Sequence, residues 1–137
     1  MSAEPALEAT VAIEQERDIV TARQQGRELA AAAGFARTDQ TLIATAISEV
    51  ARNILVYAQR GEIRLRVVED GARLGIVVEA SDRGPGIADI GLAMRDGYST
   101  TKSHGLGLPG ARRLMDELEI DSQVGSGTTV TMRRWVR

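Results

Sequence analysis

Two short glycine clusters in the second half of the chain constrain its fold more than any other feature. Residues 82–87 read DRGPGI, residues 105–108 read GLGL, and a polar run at 97–104 lies between them. Glycine lets the backbone approach a ligand closely and leaves its N–H groups accessible. The segment is therefore typical of a loop whose backbone amides hold a phosphate beneath a mobile lid. Two surface turns joined by a plain loop are the alternative.

The composition excludes several classes of function. The chain has 137 residues, of which 43% are hydrophobic and 26% charged, as expected for one soluble globular domain. We expect that domain to span residues 1–137, with residues 1–6 disordered. There is no cysteine, and His104 is the only histidine, which excludes disulfides, thiolate metal sites and multi-histidine zinc sites. The net charge of −2 predicts no nucleic-acid partner.

Hydropathy predicts a cytoplasmic protein. Residues 1–5 show neither a cationic flank nor an apolar run, so they do not resemble a signal peptide. No apolar run approaches the length of a membrane span. We therefore expect no membrane partner and a cytoplasmic location.

Apolar periodicity predicts one strand and two helices in the first half of the chain. Alternating apolar residues indicate a strand over 7–13. A helix is predicted over about 17–33, with Gly34 as its C-terminal stop. Thr38 is the expected N-cap of a longer helix that runs to about Gln59.

Two hairpins with a helix between them are predicted in the second half. Residues 62–80 indicate an antiparallel hairpin with a turn at 69–72. A helix is predicted from Pro109, with an apolar stripe that reaches Leu118. Residues 120–136 predict a second hairpin. This order of elements predicts the α/β class: a two-layer sandwich with one mixed sheet and its helices on one face.

The long helix carries a second chemical signal. Glu49 and Asn53 are four residues apart, so they lie on one helix face in a stripe that is otherwise apolar. A partly buried carboxylate and amide both need polar partners. A magnesium ion suits both, because it takes oxygen ligands and keeps waters and phosphate oxygens in its shell. The alternative is that the pair lies at the exposed edge of the helix.

Four short motifs occur in the order that marks a known superfamily. They are ExxxN at 49–53, DxGxG at 82–86, GxGL at 105–108 and GxGT at 125–128. In this order they resemble the N, G1, G2 and terminal Gly-Thr boxes of the GHKL ATPase/kinase superfamily. One box alone is weakly specific, whereas four in order on the predicted elements are strongly specific. The resemblance implies the Bergerat ATP-binding fold.

Within that superfamily the chain resembles the small serine/threonine kinases of bacterial partner switching, in particular the stressosome switch kinases. The likeness runs over nearly the whole chain and includes DIVTARQ at 18–24, AISEVARN at 46–53, DGYST at 96–100 and RLMDE at 113–117. The lid departs from the pattern, because TKSH at 101–104 replaces smaller, glycine-richer residues.

The resemblance implies a role for each site residue. Glu49 is the implied catalytic residue, which orients the attacking hydroxyl, and Asn53 is the implied magnesium ligand. Asp82 is expected to accept a hydrogen bond from the amino group of adenine, where guanine has a carbonyl oxygen. The other implied ATP-binding residues, besides Asn53 and Asp82, are Gly84, Gly86, Ile87, Thr101, Lys102, Gly105, Leu106, Gly107, Leu108 and Thr128.

The resemblance also implies cofactors and partners. ATP and Mg²⁺ are the expected cofactors, and STAS-domain stressosome proteins are the expected substrates. A PP2C-type phosphatase is expected to be activated by binding. The lid and the helix with Arg112 and Arg113 are the expected partner surface, unless these arginines are simply solvated. An anti-sigma factor kinase and a non-catalytic nucleotide-binding regulator are the alternative functions, and the presence of Glu49 argues against the regulator.

Overall fold

The computed structural model describes residues 7–84 and 108–137. In chain order its elements are β1 (Glu8–Ile13), α1 (Glu16–Ala33), α2 (Arg37–Tyr57), β2 (Gly61–Asp70), β3 (Arg73–Asp82), α3 (Leu108–Leu114), β4 (Glu117–Gln123) and β5 (Gly127–Trp135). Within these two described ranges, no helix is long and apolar enough to cross a membrane. The disorder predicted for residues 1–6 lies outside them.

The five strands form one sheet in the order β1-β2-β3-β5-β4. All four pairings of the described strands are antiparallel, so the sheet is antiparallel where we expected a mixed one. The physical reason is the position of β5. Strands β3 and β4 run in the same direction, but β5 lies between them and pairs with both. The predicted α/β sandwich is otherwise confirmed.

The two faces of this sheet differ sharply in polarity. One face, called the helix face below, carries apolar rows such as Val11, Ile63, Ala80 and Val130, which are aligned in register and buried. These residues pack with α1, α2 and α3 in a single core. The opposite face, called the open face, carries charged and hydroxyl side chains, and no described helix covers it. Side chains alternate along a strand, so each strand supplies both faces.

Helices α1 and α2 form a closely packed pair. A Cβ atom added at Gly26 of α1 would lie 2.1 Å from Cδ1 of Ile47 in α2, so any larger residue there would displace the end of the Ile47 side chain. Helix α1 ends where predicted, because Gly34 adopts a left-handed conformation with φ 98°. Its N–H donates to the carbonyls of Ala30 and Ala31, which satisfies the last turn of the helix.

The boundaries of α2 differ from the prediction at both ends. Ala36, and not Thr38, is the N-cap, with an extended backbone and no side-chain cap. The amide Nε2 of Gln40 donates to the carbonyl of Phe35 at 2.9 Å, and Phe35 is buried, so packing fixes where the helix begins. Helix α2 ends at Tyr57, short of the predicted Gln59, because the chain must turn before it enters β2.

Helix α3 is also shorter than predicted, and Leu118 belongs to β4 instead. The chain leaves the helix because Asp116 joins the sheet. Its N–H donates to the carbonyl of Arg133 at 2.9 Å, and its carboxylate accepts from the N–H of Trp135 at 2.8 Å. Beside it, Arg134 donates to the Leu114 carbonyl at 2.7 Å and to Asp39 at 2.8 Å, which ties the end of α3 to the start of α2.

Candidate functional site

The predicted pair Glu49 and Asn53 lies one turn apart on α2, and both residues are half-buried. The pair therefore lies at the edge of the buried face, neither fully buried nor exposed. The amide oxygen Oδ1 of Asn53 is buried and has no hydrogen-bond partner in the described part of the chain. An acceptor without a partner in the interior costs free energy. Its surroundings therefore suit a donor or a hard cation that takes oxygen ligands.

Asp82 is the last residue of β3, and its side chain is half-buried on the helix face. Its Oδ1 accepts a hydrogen bond from the N–H of Gly84 at 2.8 Å, which fixes the carboxylate in a local turn. Gly84 is sterically required, because a Cβ atom there would lie 2.6 Å from Cβ of Ala58. The second carboxylate oxygen remains an acceptor for a ligand.

The start of β5 is held closely against Asp82. Thr128 pairs with Asp82 in register and is 7% exposed. The preceding Gly127 has φ 109°, and a Cβ atom there would lie 2.1 Å from the Asp82 carbonyl oxygen. Only glycine allows that approach. The Gly-Thr motif at 127–128 therefore lies directly beside Asp82 in the sheet.

Ser122 is a residue of this site that our prediction missed. It lies opposite Thr128 in β4, and the two hydroxyl oxygens are 2.8 Å apart. A signal was present in the sequence. Leu118 and Ile120 place the apolar phase of β4 on even-numbered positions, and Ser122 continues that phase as a polar residue facing inward.

Gly61 connects the α2 residues to the end of the sheet. A Cβ atom at Gly61 would lie 2.9 Å from Cγ2 of Ile54 and 3.2 Å from Cβ of Asp82. The last turns of α2 therefore lie directly against the strand ends that carry Asp82. The structure thus brings Asn53, the neighbour of Ile54, to the same end of the molecule as Asp82 and Thr128.

Helix α3 begins at Leu108, one of the residues implied to bind ATP. The side chain of Leu108 is fully buried in the core, so it is not available to a ligand. Seven predicted ligand-binding residues lie outside the described residues: Gly86, Ile87, Thr101, Lys102, Gly105, Leu106 and Gly107. The predicted lid and His104 also lie outside them.

A cavity of about 830 Å³ lies at the same end of the sheet. Ala12, Glu62, Ser81 and Thr129 line it from the open face. It is also lined by Asp82 and Gly61 at the strand ends and by Ala58 at the end of α2. The cavity therefore reaches around the end of the sheet to Asp82.

Three arginines on the helices can be placed. Arg52 makes an ion pair with Glu16 at 2.8 Å, and both side chains are largely exposed. It therefore links α2 to the start of α1, away from the pair of Glu49 and Asn53. Arg112 and Arg113 are exposed on α3, in the last turn of that helix.

Comparison with known proteins identifies the family. Residues 12–134 match the family described as the histidine kinase-like ATPase domain. The chain belongs to this family. Membership implies the use of ATP, and it confirms the predicted resemblance to the GHKL superfamily.

This histidine kinase-like ATPase domain is similar over most of its length to a serine/threonine-protein kinase and to an anti-sigma factor. It is 48% identical over 130 residues to the serine/threonine-protein kinase RsbT of Bacillus subtilis (strain 168), covering 95% of this chain and 98% of that protein. It is 32% identical over 116 residues to an anti-sigma F factor of Thermoanaerobacter sp. (strain X514), covering 77% and 80%. The family match and the 48% identity to a serine/threonine-protein kinase confirm the predicted enzyme class, an ATP-dependent protein kinase.

Solved structures agree on the fold. The RsbU and RsbW domains of a Mycobacterium tuberculosis protein match with a TM-score of 0.59 and 27% identity, over 98% of this chain and 34% of that one. The mycobacterial sensor histidine kinase MprB matches with a TM-score of 0.58 over 95% of this chain and 98% of that one. At 14% identity the second likeness concerns the fold alone.

Proposed function

We propose that this domain is a serine/threonine protein kinase of a partner-switching stress-response module. Its substrates are STAS-domain stressosome proteins, and after phosphorylating them it binds and activates a PP2C-type phosphatase. The observation that carries the proposal is the 48% identity to RsbT over 95% of the chain, together with Glu49 in the ExxxN motif. The proposal includes a single domain over residues 1–137 and a cytoplasmic location.

Adenine is bound by the helix-face row at the end of the sheet. Asp82 accepts a hydrogen bond from the amino group of the base, and the nearby hydroxyl of Thr128 lines the same pocket. The fixed Asp82 carboxylate and the buried Thr128 support this assignment. Guanine is disfavoured because its carbonyl oxygen would face the carboxylate. Phosphate contacts from Lys102, Gly105 and Gly107 remain a prediction from the resemblance.

Asn53 is the residue that would hold magnesium. The buried, unpartnered Oδ1 of Asn53 supports this role, because Mg²⁺ takes oxygen ligands. When bound, the ion neutralises the phosphate charge that develops during transfer. Asn53→Ala should weaken the Mg²⁺ dependence of ATP binding, measured by calorimetry at several Mg²⁺ concentrations. An unchanged Mg²⁺ dependence would remove Asn53 as the ligand.

Glu49 acts on the hydroxyl that attacks the terminal phosphate. Its half-buried position one turn from Asn53 supports a role beside the metal. A carboxylate there orients the substrate hydroxyl and can accept its proton. Phosphoryl transfer has a loose transition state, so orientation and charge neutralisation contribute more than basicity.

Release of the product follows from charge. Phosphorylation adds about −1.5 to −2 charges to the partner at neutral pH. Beside Glu49 that charge is repelled, so the phosphorylated partner dissociates and the kinase becomes available to the phosphatase. The experiment compares the binding of a STAS-domain protein before and after its phosphorylation by this kinase. Equal affinity for the two forms, or no binding of any STAS-domain protein, would contradict the proposal.

An anti-sigma factor of the same fold is the second candidate. The 32% identity to an anti-sigma F factor over 77% of the chain favours it. A pull-down from cell extract with and without ATP separates the two. A captured sigma factor supports the second candidate, whereas a captured STAS-domain protein or phosphatase supports the first.

A further inference from the structure

The last row of the helix face is a polar line of three residues from neighbouring strands. Asp82 in β3 is in register with Thr128 in β5, and Thr128 is in register with Ser122 in β4. Buried hydroxyl groups need defined partners. The direction of each hydrogen bond in this row therefore determines whether the row presents donors or acceptors to a ligand.

The carbonyl oxygen of Gly127 fixes the direction of the Ser122 hydroxyl. It lies 3.2 Å from Ser122 Oγ and can only accept, so Ser122 is the donor in that contact. A hydroxyl group has one hydrogen. In the 2.8 Å contact between Ser122 Oγ and Thr128 Oγ1, Thr128 is therefore the donor when both contacts are satisfied.

Thr128 then has only lone pairs left to offer. Its hydrogen points to Ser122, on the side away from Asp82 in the row. Asp82, ionised at neutral pH, is also an acceptor, and its Oδ1 already accepts from Gly84. The side chains of Asp82 and Thr128 thus both present hydrogen-bond acceptors and no donor. They match a ligand group that donates hydrogen bonds, such as an amino group.

We infer that Ser122 is a specificity-determining positioning residue, which holds the Thr128 hydroxyl as an acceptor for the amino group of adenine. This inference rests on the proposed nucleotide site. Ser122 itself acts through Thr128. The pair Ser81 and Thr129 provides a natural comparison, because it lies one residue away on the open face, with its hydroxyl oxygens 3.5 Å apart.

The test compares ATP with purine riboside triphosphate, which lacks only the amino group of the base. Ser122→Ala releases the Thr128 hydroxyl, so it should weaken ATP binding roughly twofold to tenfold. Binding of purine riboside triphosphate should not change, because that nucleotide has no hydrogen at this position to donate. Calorimetry measures both affinities. Ser81→Ala is the matched control and should change neither.

A double-variant cycle separates this role from a general effect on structure. Thr128→Val removes the hydroxyl that Ser122 positions, so adding Ser122→Ala to that variant should cause no further loss of ATP affinity. Ser122→Thr keeps a hydroxyl and should restore ATP affinity. If Ser122→Ala fails to fold, Thr128→Val alone should still lose affinity for ATP and not for purine riboside triphosphate.

Each outcome decides the inference. Equal losses for the two nucleotides, or no loss for ATP, would overturn it, and the proposed kinase function would stand as long as the parent protein prefers ATP. A parent protein that binds neither nucleotide would overturn the nucleotide site and the inference together. A loss confined to ATP, absent in the Thr128→Val background, supports it.

Discussion

The two faces of the sheet are built from the same strands, yet polar side chains are distributed differently on them. On the open face charged and hydroxyl side chains occur in successive rows, for example Arg64 beside Glu79 at 3.9 Å. On the helix face polar groups lie towards the two ends of the strands: Asp82, Thr128 and Ser122 form the last row at one end, and Arg134 lies near the other. Buried polar groups must be satisfied by fixed partners, whereas exposed ones exchange partners with water. The comparison teaches that the apolar face ends in a row of fixed polar groups, which is where we propose that the nucleotide binds.

The largest effect is expected at Glu49, in the helix layer over this face. Glu49→Gln keeps the shape and removes the charge, so phosphate transfer from ATP to a STAS-domain substrate should fall at least about 100-fold. ATP affinity and the melting temperature should stay close to those of the parent. Glu79→Gln, a half-buried glutamate on the open face, is the matched control. Transfer at the parental rate in Glu49→Gln would show that Glu49 has no catalytic role.

The next effect concerns stability and compares adjacent residues of β2. Leu65 is fully buried on the helix face, and Arg66 is exposed on the open face. Leu65→Ala should lower the free energy of unfolding by about 2–5 kcal/mol, because it leaves a cavity in the core. Arg66→Ala should change it by less than about 0.5 kcal/mol. Denaturant unfolding measures both, and similar losses for the two variants would contradict the difference between the faces.

A smaller effect is expected in ligand binding at the polar row. Asp82→Asn removes the charge of the acceptor, so ATP binding should weaken by about 1.5–3 kcal/mol. Asp121→Asn is the control, because Asp121 is exposed on the open face of β4. Calorimetry with ATP and GTP provides the measurement. Unchanged ATP affinity in Asp82→Asn, or equal GTP affinity in the parent, would refute the role of Asp82.

The smallest effect is expected on the pH dependence of stability, at Asp116 near the far end of the sheet. Burial raises the pKa of Asp116, but hydrogen bonds from Arg137 and from the N–H of Trp135 outweigh it, so the pKa is lowered from its ordinary value of 3.8. A lowered folded-state pKa gives stability that is present above the unfolded-state pKa of about 3.9 and is lost as the pH falls through the folded-state value.

Asp116→Asn should therefore be less stable than the parent at neutral pH, and the difference should shrink in acid. The fluorescence of Trp135, the only tryptophan, can follow unfolding at each pH. A difference that grows as the pH falls would contradict the direction of the shift. The effect is small because Arg137 is exposed to solvent.

Local patterns predicted most of the elements correctly. Alternation predicted the five strands and both hairpins, and Gly34 ended α1 as expected. Helix boundaries were wrong where a distant contact decided them. Packing of Phe35 moved the start of α2 to Ala36, and pairing of Asp116 with Arg133 ended α3 before Leu118. The apolar periodicity of the sequence could not predict either contact, because each depends on residues that the fold brings together.

The sequence by itself determined the family and the chemical character of the site. Short motifs predicted Glu49, Asn53 and Asp82, because these groups need fixed residue types at fixed spacings. Only the tertiary structure decided the antiparallel strand order and the burial of Asn53 Oδ1. It also decided the contact of Ser122 with Thr128, since register across two strands sets which hydroxyls meet. Burial and register are properties of several chain segments at once, so no single segment encodes them.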